Sequence, residues 1–443
     1  MGAADQEGRH LRGLNAADFP ALLRASFSAA VAAADPARVL PAYLPDRQQL
    51  SRVGRTLVVG AGKAAASMAL AVESHWPAEC ALSGLMVTRY GHGAPCTRIE
   101  VIEAGHPVPD EAGERAAQRI LAEARALGPD DLLLVLVSGG GSSLLSLPVA
   151  EVPMADLKSV TRQLLASGAP IQDINVVRKH LSQIQGGRLA QATRARVIAL
   201  VISDVAGDDL SSIASGPCAP DPSTYGDALS VLAQWGVTPP QSVAQWLARG
   251  VAGAMAETPK PGDALFARVE HALIASAHRS LEAAAGVFRA AGIRPVILGD
   301  TLTGEARDVA QVIAAIAREV SVHGEPFARP VALISGGECT VTVRGRGRGG
   351  RCSEFLLAFV RAASDLGNLW ALAADTDGID GIEANAGAVV TPDTRARAAA
   401  LGLDPRPFLD DNDAYSFFDR LGDLLVTGPT LTNVNDYRVV LLA

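Results

Sequence analysis

Short uninterrupted runs of apolar residues alternate along this chain with longer Ala-rich stretches, and several runs end in Gly, Ser or Asp. The run Arg55-Thr56-Leu57-Val58-Val59 leads into Gly60-Ala61-Gly62-Lys63 and then the helix-forming stretch AAASMALAVES. Asp131 to Val137 leads into Ser138-Gly139-Gly140-Gly141-Ser142-Ser143. Both read as strand, loop and helix in succession. Further runs at Val197 to Ile202, Val331 to Ile334, Leu369 to Ala374 and Val439 to Leu442 are continuous rather than alternating. That predicts strands covered on both faces and paired in parallel. The pattern as a whole predicts an α/β protein.

The periodicity lapses between Val251 and Asp263, where AGAMAETPKPGD collects Pro, Gly and charge. This predicts a linker, giving domains at 1–260 and 261–443 with Pro259 to Gly262 as a candidate hinge. Two domains also suit the length, since 443 residues with 49% apolar content exceed what one core usually organises.

Charge excludes some partners. Lys plus Arg number 39 against 47 Asp plus Glu, a formal charge of -8 without long single-sign runs, which argues for solubility and against nucleic acid. The tract Arg344 to Arg351, RGRGRGGR, is short and lacks the interleaved aromatics of an RNA binder. The start MGAADQEGRHLRGLNAADFP lacks the apolar core of a signal peptide, and no run approaches the roughly 20 apolar residues of a membrane span. The expectation is a cytoplasmic protein without a membrane partner, with a homodimer left open. Cys80, Cys96, Cys218, Cys339 and Cys352 are scattered and odd in number, which speaks against disulfides and structural zinc.

Candidate chemistry falls in loops at strand ends, where open α/β sheets bind ligands. Gly60 and Gly62 let the backbone approach an anion, and Lys63 opens a helix whose dipole favours negative charge. Gly60, Gly62 and Ala65 also satisfy the dinucleotide fingerprint G-x-G-x-x-G/A. The acid that would hold the ribose is missing, however: Gly84 to Thr88 is followed by Arg89-Tyr90-Gly91-His92. Arg89 is able to accept the extra phosphate of NADP, so a reductase stays as an alternative. Ser138 to Ser143 offers amides and hydroxyls for a phosphate nest. Asp204, in Ser203 to Asp209, is placed for magnesium, whereas Asp208 and Asp209 suit an Asx turn and cap equally well. In the second half stand Ser335-Gly336-Gly337-Glu338, then a flexible glycine-rich tract ending in Arg351, which suits transition-state phosphoryl oxygens. Asp375-Thr376-Asp377-Gly378 and Thr427 to Asp436, with Asn433, complete the set.

Together these motifs resemble, almost end to end, the glycerate 2-kinases of the MOFRL family, some of whose members are labelled hydroxypyruvate reductases. The likeness runs through GAGKAA, EAGHPVPD, LVSGGGSSLL, INVVRKHLSQIQGGRLA, SDVAGDDLSSIASGP, SGGE, GRGGR, DTDGIDG and TGPTLTNVND. It implies a Rossmann-like N-terminal domain, a smaller C-terminal α/β domain, and an active site in the cleft between them. It also implies phosphorylation of D-glycerate to 2-phosphoglycerate with ATP and a divalent metal. Family functional positions fall on Lys63, Asp204, Glu338, Arg351, Asp377 and Asn433. On this reading Lys63 and Arg351 neutralise the transferring phosphoryl group, Asp204 or Glu338 holds magnesium, Asp377 activates the hydroxyl, and Asn433 orients substrate or phosphate. The alternatives are an NAD(P)H-dependent reductase and a non-catalytic sugar-phosphate binder. Four positions depart from the family pattern: Cys352-Ser353 stands where Asn-Gln is usual, Gln185 where lysine is common, and Leu431 where glycine is frequent.

Overall fold

The computed structural model describes residues 15–205 and 207–443. The chain divides into two units, residues 36–274 and a second one made of the N-terminal segment up to Asp35 together with residues 275–443. Among the described residues no helix is long and apolar enough to cross a membrane.

In residues 36–274 the apolar runs become strands β1 (Thr56–Ala61), β2 (Leu82–Arg89), β3 (Ile99–Ala104), β4 (Leu132–Val137), β5 (Arg196–Ile202) and β6 (Val269–Ala275). Their order in the sheet is β3-β2-β1-β4-β5-β6, and β1 to β5 pair in parallel. This is the doubly wound arrangement, with its reversal of direction between β1 and β4. Every residue of β1 and β4 is buried, as continuous apolar runs require. Helix Glu111–Arg125 packs Ala116, Ala117, Ile120 and Leu121 against one face of the sheet.

The second unit holds β7 (Arg294–Gly299), β8 (Gly304–Glu305), β9 (Val331–Ser335), β10 (Cys339–Thr340), β11 (Leu369–Asp375), β12 (Gly387–Val390), β13 (Leu424–Leu425) and β14 (Asp436–Leu442). Six of them form a sheet in the order β13-β12-β11-β14-β9-β7, while β8 and β10 pair separately. Alternate residues of β11 and β14 serve opposite faces. Ala371, Ala373, Val440 and Leu442 meet helices Ala306–His323 and Arg351–Ala362, whereas Trp370, Leu372, Val439 and Leu441 meet helices Phe19–Ala32 and Ala277–Ala290.

Three expectations change. First, β14 runs antiparallel to both β11 and β9, and β11 antiparallel to β12; within this six-stranded sheet, among the described residues, β7 and β9 are the pair that runs parallel. A continuous apolar run reports cover on both faces, and helices on both faces provide that whatever the strand direction. Second, the division falls between residues 274 and 275 rather than at 260. The segment Val251 to Asp263 is tied into its own unit: the Asp221 amide donates to the Pro259 carbonyl, Thr258 Oγ1 donates to Asp221, and Lys260 Nζ donates to the Ser223 carbonyl. Pro and Gly there shape a packed loop rather than a hinge. Third, the helix Phe19–Ala32 belongs with the C-terminal half. Phe19 meets Trp370 edge-on at 4.7 Å, and Tyr437 Oη donates to Ser26 Oγ at 2.7 Å.

Candidate functional site

The reversal between β1 and β4 brings the two glycine loops together. The Lys63 amide donates to the Gly139 carbonyl at 2.8 Å, and Ser138 Oγ accepts from the Ala64 amide at 3.0 Å, so a serine on one loop caps the helix Ala65–His75 opened by the other. A Cβ at Gly60 would overlap the Leu136 carbonyl and one at Gly62 would overlap Ser138. Both glycines therefore answer to their packing on β4 and the loop after it. The amides of Gly139 and Gly140 have no protein acceptor among the described residues. Ser143 Oγ donates to the Gly140 carbonyl at 3.1 Å, and Gly141 lies against Ala214.

Behind this loop runs a polar chain that the sequence did not disclose. Ser142 Oγ and Ser215 Oγ lie 2.9 Å apart, Ser215 Oγ donates to Asn175 Oδ1 at 3.0 Å, and Arg178 Nη1 donates to the same oxygen at 2.9 Å. Ala214 and Ser215 hold φ of 49° and 58°, left-handed values that side chains adopt only under local compulsion. Gln185, where lysine is common in the family, donates Nε2 to the carbonyls of Ser142 and Leu145 at 2.8 and 3.2 Å. The signal was the motif Ile174 to Ala190, whose residues carry no chemistry until the fold places them beneath Ser142.

Asp204 follows β5 and is half-buried. Asp209 takes the capping role: it accepts from the Ser211 amide and from the hydroxyls of Ser211 and Ser212 at 2.7 to 3.0 Å. Burial opposes its charge, but the hydrogen bonds from Ser212 and Ser211 outweigh it and hold the carboxyl below the ordinary range.

In the second unit the focus is Arg351, and it is not the mobile arginine that its glycine-rich approach suggested. Its Nη1 pairs with Glu338 at 2.9 Å, Nη2 with Asp375 at 2.7 Å and Nε with Asp436 at 2.7 Å. Asp436 binds Arg438 through its other oxygen at 2.6 Å, and Arg438 donates to the Gly336 carbonyl at 3.0 Å. Asp375 and Asp436 stand opposite each other in the antiparallel register of β11 and β14. Like charges so placed repel, and Arg351 is the cation that joins them. Burial works against Arg351's charge, but Asp436, Asp375 and Glu338 hold its pKa far above the ordinary value.

The glycine tract is a strap rather than a flexible loop. The amides of Arg344 and Gly345 donate to Asn412 Oδ1, those of Arg346 and Gly347 to Asp411, and that of Arg348 to Asp413. A Cβ at Gly350 would overlap the carboxylate of Asp380, which accepts from the Cys352 and Ser353 amides at 3.0 and 2.8 Å and from Ser353 Oγ at 2.5 Å. Asp380 thus caps the helix Arg351–Ala362, which explains a serine at 353. Burial pushes its pKa up to about 6 against these hydrogen bonds. The folded state then binds a proton more tightly than the unfolded chain, so this group's stabilisation is full below pH ~4 and lost as pH rises through about 6. Asp380→Asn is expected to flatten that slope of stability between pH ~4 and ~6 in denaturant titrations; an unchanged slope would assign it elsewhere.

Asp377 sits in an Asx turn, its Oδ1 accepting from the Ile379 amide at 2.9 Å. The loop Thr427 to Asn435 is stitched to it, since the Thr430 amide donates to the Asp377 carbonyl and the Val434 amide to Thr376 Oγ1. Asn433 is buried in this loop, with Oδ1 facing the Asn435 amide at 3.4 Å. Leu431 adopts φ of 59°. Where the family often has glycine, this chain holds a branched side chain in a left-handed conformation at a cost of roughly 1 kcal/mol. Leu431→Gly should therefore raise stability by up to about 1 kcal/mol, read as a shifted denaturation midpoint; a lowered midpoint would show that the side chain's packing matters more than its backbone strain.

Among the described residues no three His, Cys, Asp or Glu side chains gather as a metal site, and all five cysteines are free thiols. Of the five charged groups in this cluster, Arg351 included, three are acids and two are bases, leaving one carboxylate in excess. Glu338 is the outermost, its side chain 53% exposed. Such a sparse donor set fits magnesium, which keeps its waters and rides on phosphates, better than a cation caged wholly by protein.

A doubly wound sheet with two glycine loops at its reversal, and a second sheet built around an arginine and its carboxylates, define a class of two-unit α/β proteins. Comparison with known proteins narrows it. The profile described as "Domain of unknown function (DUF4147)" matches residues 22–248, and that of the MOFRL family matches residues 331–436. The chain is 41% identical to glycerate 2-kinase of Pyrococcus horikoshii over 392 residues, 88% of each chain. It is 48% identical over 440 residues to an Agrobacterium vitis protein provisionally named hydroxypyruvate reductase, covering 99% of this chain and 98% of that one. The crystal structure of glycerate kinase from Thermotoga maritima superposes with a TM-score of 0.84 at 38% identity, covering 96% of this chain and 100% of that one. The chain belongs to the MOFRL glycerate 2-kinase family.

Proposed function

We propose that this protein is a glycerate 2-kinase, transferring the terminal phosphoryl group of ATP to the 2-hydroxyl of D-glycerate. The observation that carries this reading is 41% identity to a glycerate 2-kinase across 88% of both chains. The reductase alternative is weaker, because β2 closes on Thr88 and Arg89 with no acid for a ribose, and Gly60 and Gly62 are accounted for by packing.

The roles follow from charge and position, which dominate phosphoryl transfer. Lys63 and the Gly139 and Gly140 amides bind phosphate oxygens. Arg351 fixes Glu338, Asp375 and Asp436 in place, and Asp204 or Glu338 would hold magnesium. When bound, the metal would neutralise charge on the nucleotide's phosphates. Asp377, steadied by the Ile379 amide, accepts the hydroxyl proton, and Asn433 orients the acceptor. A cytoplasmic location suits a reaction drawing on ATP.

The test is a coupled assay with purified protein, ATP, magnesium and D-glycerate, alongside a parallel cell with NADPH and hydroxypyruvate. ADP release with 2-phosphoglycerate, resolved from its 3-phosphate isomer, is the expected result. Oxidation of NADPH without ADP release would overturn the kinase reading.

A further inference from the structure

Beside the glycine loop, within residues 36–274, lies a cavity of about 110 Å³ bounded by Ser143, Lys158, Arg162 and Arg178, with Val108 and Leu165 at its margin. No Asp or Glu lines it. Lys158 and Arg162 stand one turn apart on the helix Met154–Ala166, so both face the same groove. Arg178 is half-buried, and its side-chain acceptor is a neutral one, Asn175 Oδ1 at 2.9 Å. Burial alone pulls its pKa down to about 10, so the guanidinium still carries its charge at neutral pH. Three cations with hydroxyls and no acid make a site for oxyanions. The margin has a different character: Val108 and Leu165 are 59% and 60% exposed, large apolar surfaces left to solvent.

We infer that this cavity is the docking slot of the nucleotide, with polyphosphate oxygens on Lys158, Arg162 and Arg178 and the base against Val108 and Leu165. The inference rests on the kinase reading for its choice of ligand. Glycerate is also an anion, but it has no apolar face for the margin to cover, whereas a purine ring does. The cavity is smaller than the roughly 300–1,000 Å³ of pockets that enclose a whole ligand. The slot therefore takes part of the nucleotide, and the rest extends along Ser143 toward Gly140 and Lys63. The chain Arg178, Asn175, Ser215, Ser142 connects the cationic end of the slot to that loop, so a phosphate held at Arg178 also fixes the loop that receives its neighbour.

Direct binding and kinetics test this together. The variants are Arg178→Gln, and Lys158→Gln with Arg162→Gln, the second pair lying near the surface where folding is less at risk than at Arg178. Circular dichroism checks that each is folded. Calorimetric titration with MgATP in the absence of glycerate is expected to show Kd raised about ten-fold or more for each, the usual effect of a lost charge-assisted hydrogen bond. KM for glycerate should stay within about three-fold. A raised glycerate KM with unchanged ATP affinity would give the slot to the acid substrate and overturn the inference, as would unchanged values for both. If wild-type protein binds MgATP, the variants lose that binding and no turnover of glycerate occurs, the slot stands and the proposed acceptor falls.

Discussion

Arg351→Ala is expected to lose about 3–5 kcal/mol of stability and nearly all turnover, because it leaves buried carboxylates without their cation. Asp375 and Asp436 have side chains 4% and 0% exposed and face each other across β11 and β14. In the intact protein burial raises the pKa of Asp436, but Arg351 and Arg438 more than reverse this and hold it below the ordinary value. That stabilisation is present above the unfolded pKa and lost as pH falls through the lower folded one. Without Arg351 only Arg438 remains beside Asp436, so the stabilisation of its charge weakens and burial's preference for the protonated form gains weight. The deficit should therefore shrink as pH is lowered from ~8 to ~5, in chemical denaturation curves of both proteins. Arg351→Lys should recover little, because an ammonium has no planar fork to reach three carboxylates. Wild-type denaturation midpoints for Arg351→Ala would remove the cluster from any account of this unit's stability.

Lys63→Ala should separate chemistry from stability. Lys63 is half-buried at the start of a helix, and its amide donates to the Gly139 carbonyl. Loss of a cation that meets phosphoryl charge in the transition state should lower kcat/KM by about 10²- to 10³-fold, the scale of a missing oxyanion donor. The loss of stability should be about 1 kcal/mol, the centre of the range for single substitutions. Near wild-type kcat/KM in a folded Lys63→Ala protein would falsify its assigned role.

Much of the fold was legible because burial on both faces leaves a mark on composition: the apolar runs at β1, β4, β5, β9, β11 and β14 all became strands. Direction leaves no such mark, which is why the second sheet read as parallel. The partition of the chain was hidden for a related reason. Helix Phe19–Ala32 is assigned by contacts with Trp370 and Tyr437, more than 300 residues away, and no local signal announces them. At the site, glycines were conspicuous but their reason was not. Gly60, Gly62 and Gly350 make room for Leu136, Ser138 and Asp380, and the same letters would spell an anion loop or a flexible tether. Asp375 was passed over for Asp377 because only the antiparallel register sets Asp375 against Asp436. Arg178, Lys158 and Arg162 escaped notice because a cation on a helix is ordinarily a solvated one.

The place of β14 has a consequence for how the protein is made. Residues 36–274 leave the ribosome as one uninterrupted stretch and hold every residue of their own unit, so that unit is able to fold during synthesis. Its counterpart begins earlier in the chain and finishes later. Helix Phe19–Ala32 is translated first, yet Tyr437 and the central strand it packs on come from the far end of the sequence. At ordinary elongation rates that helix, with Phe19, Leu23 and Phe27 on its apolar side, waits roughly 20 to 80 s for its partner. The most exposed moment in the life of this enzyme is thus the interval before β14 arrives, and a nascent-chain chaperone has its clearest target there.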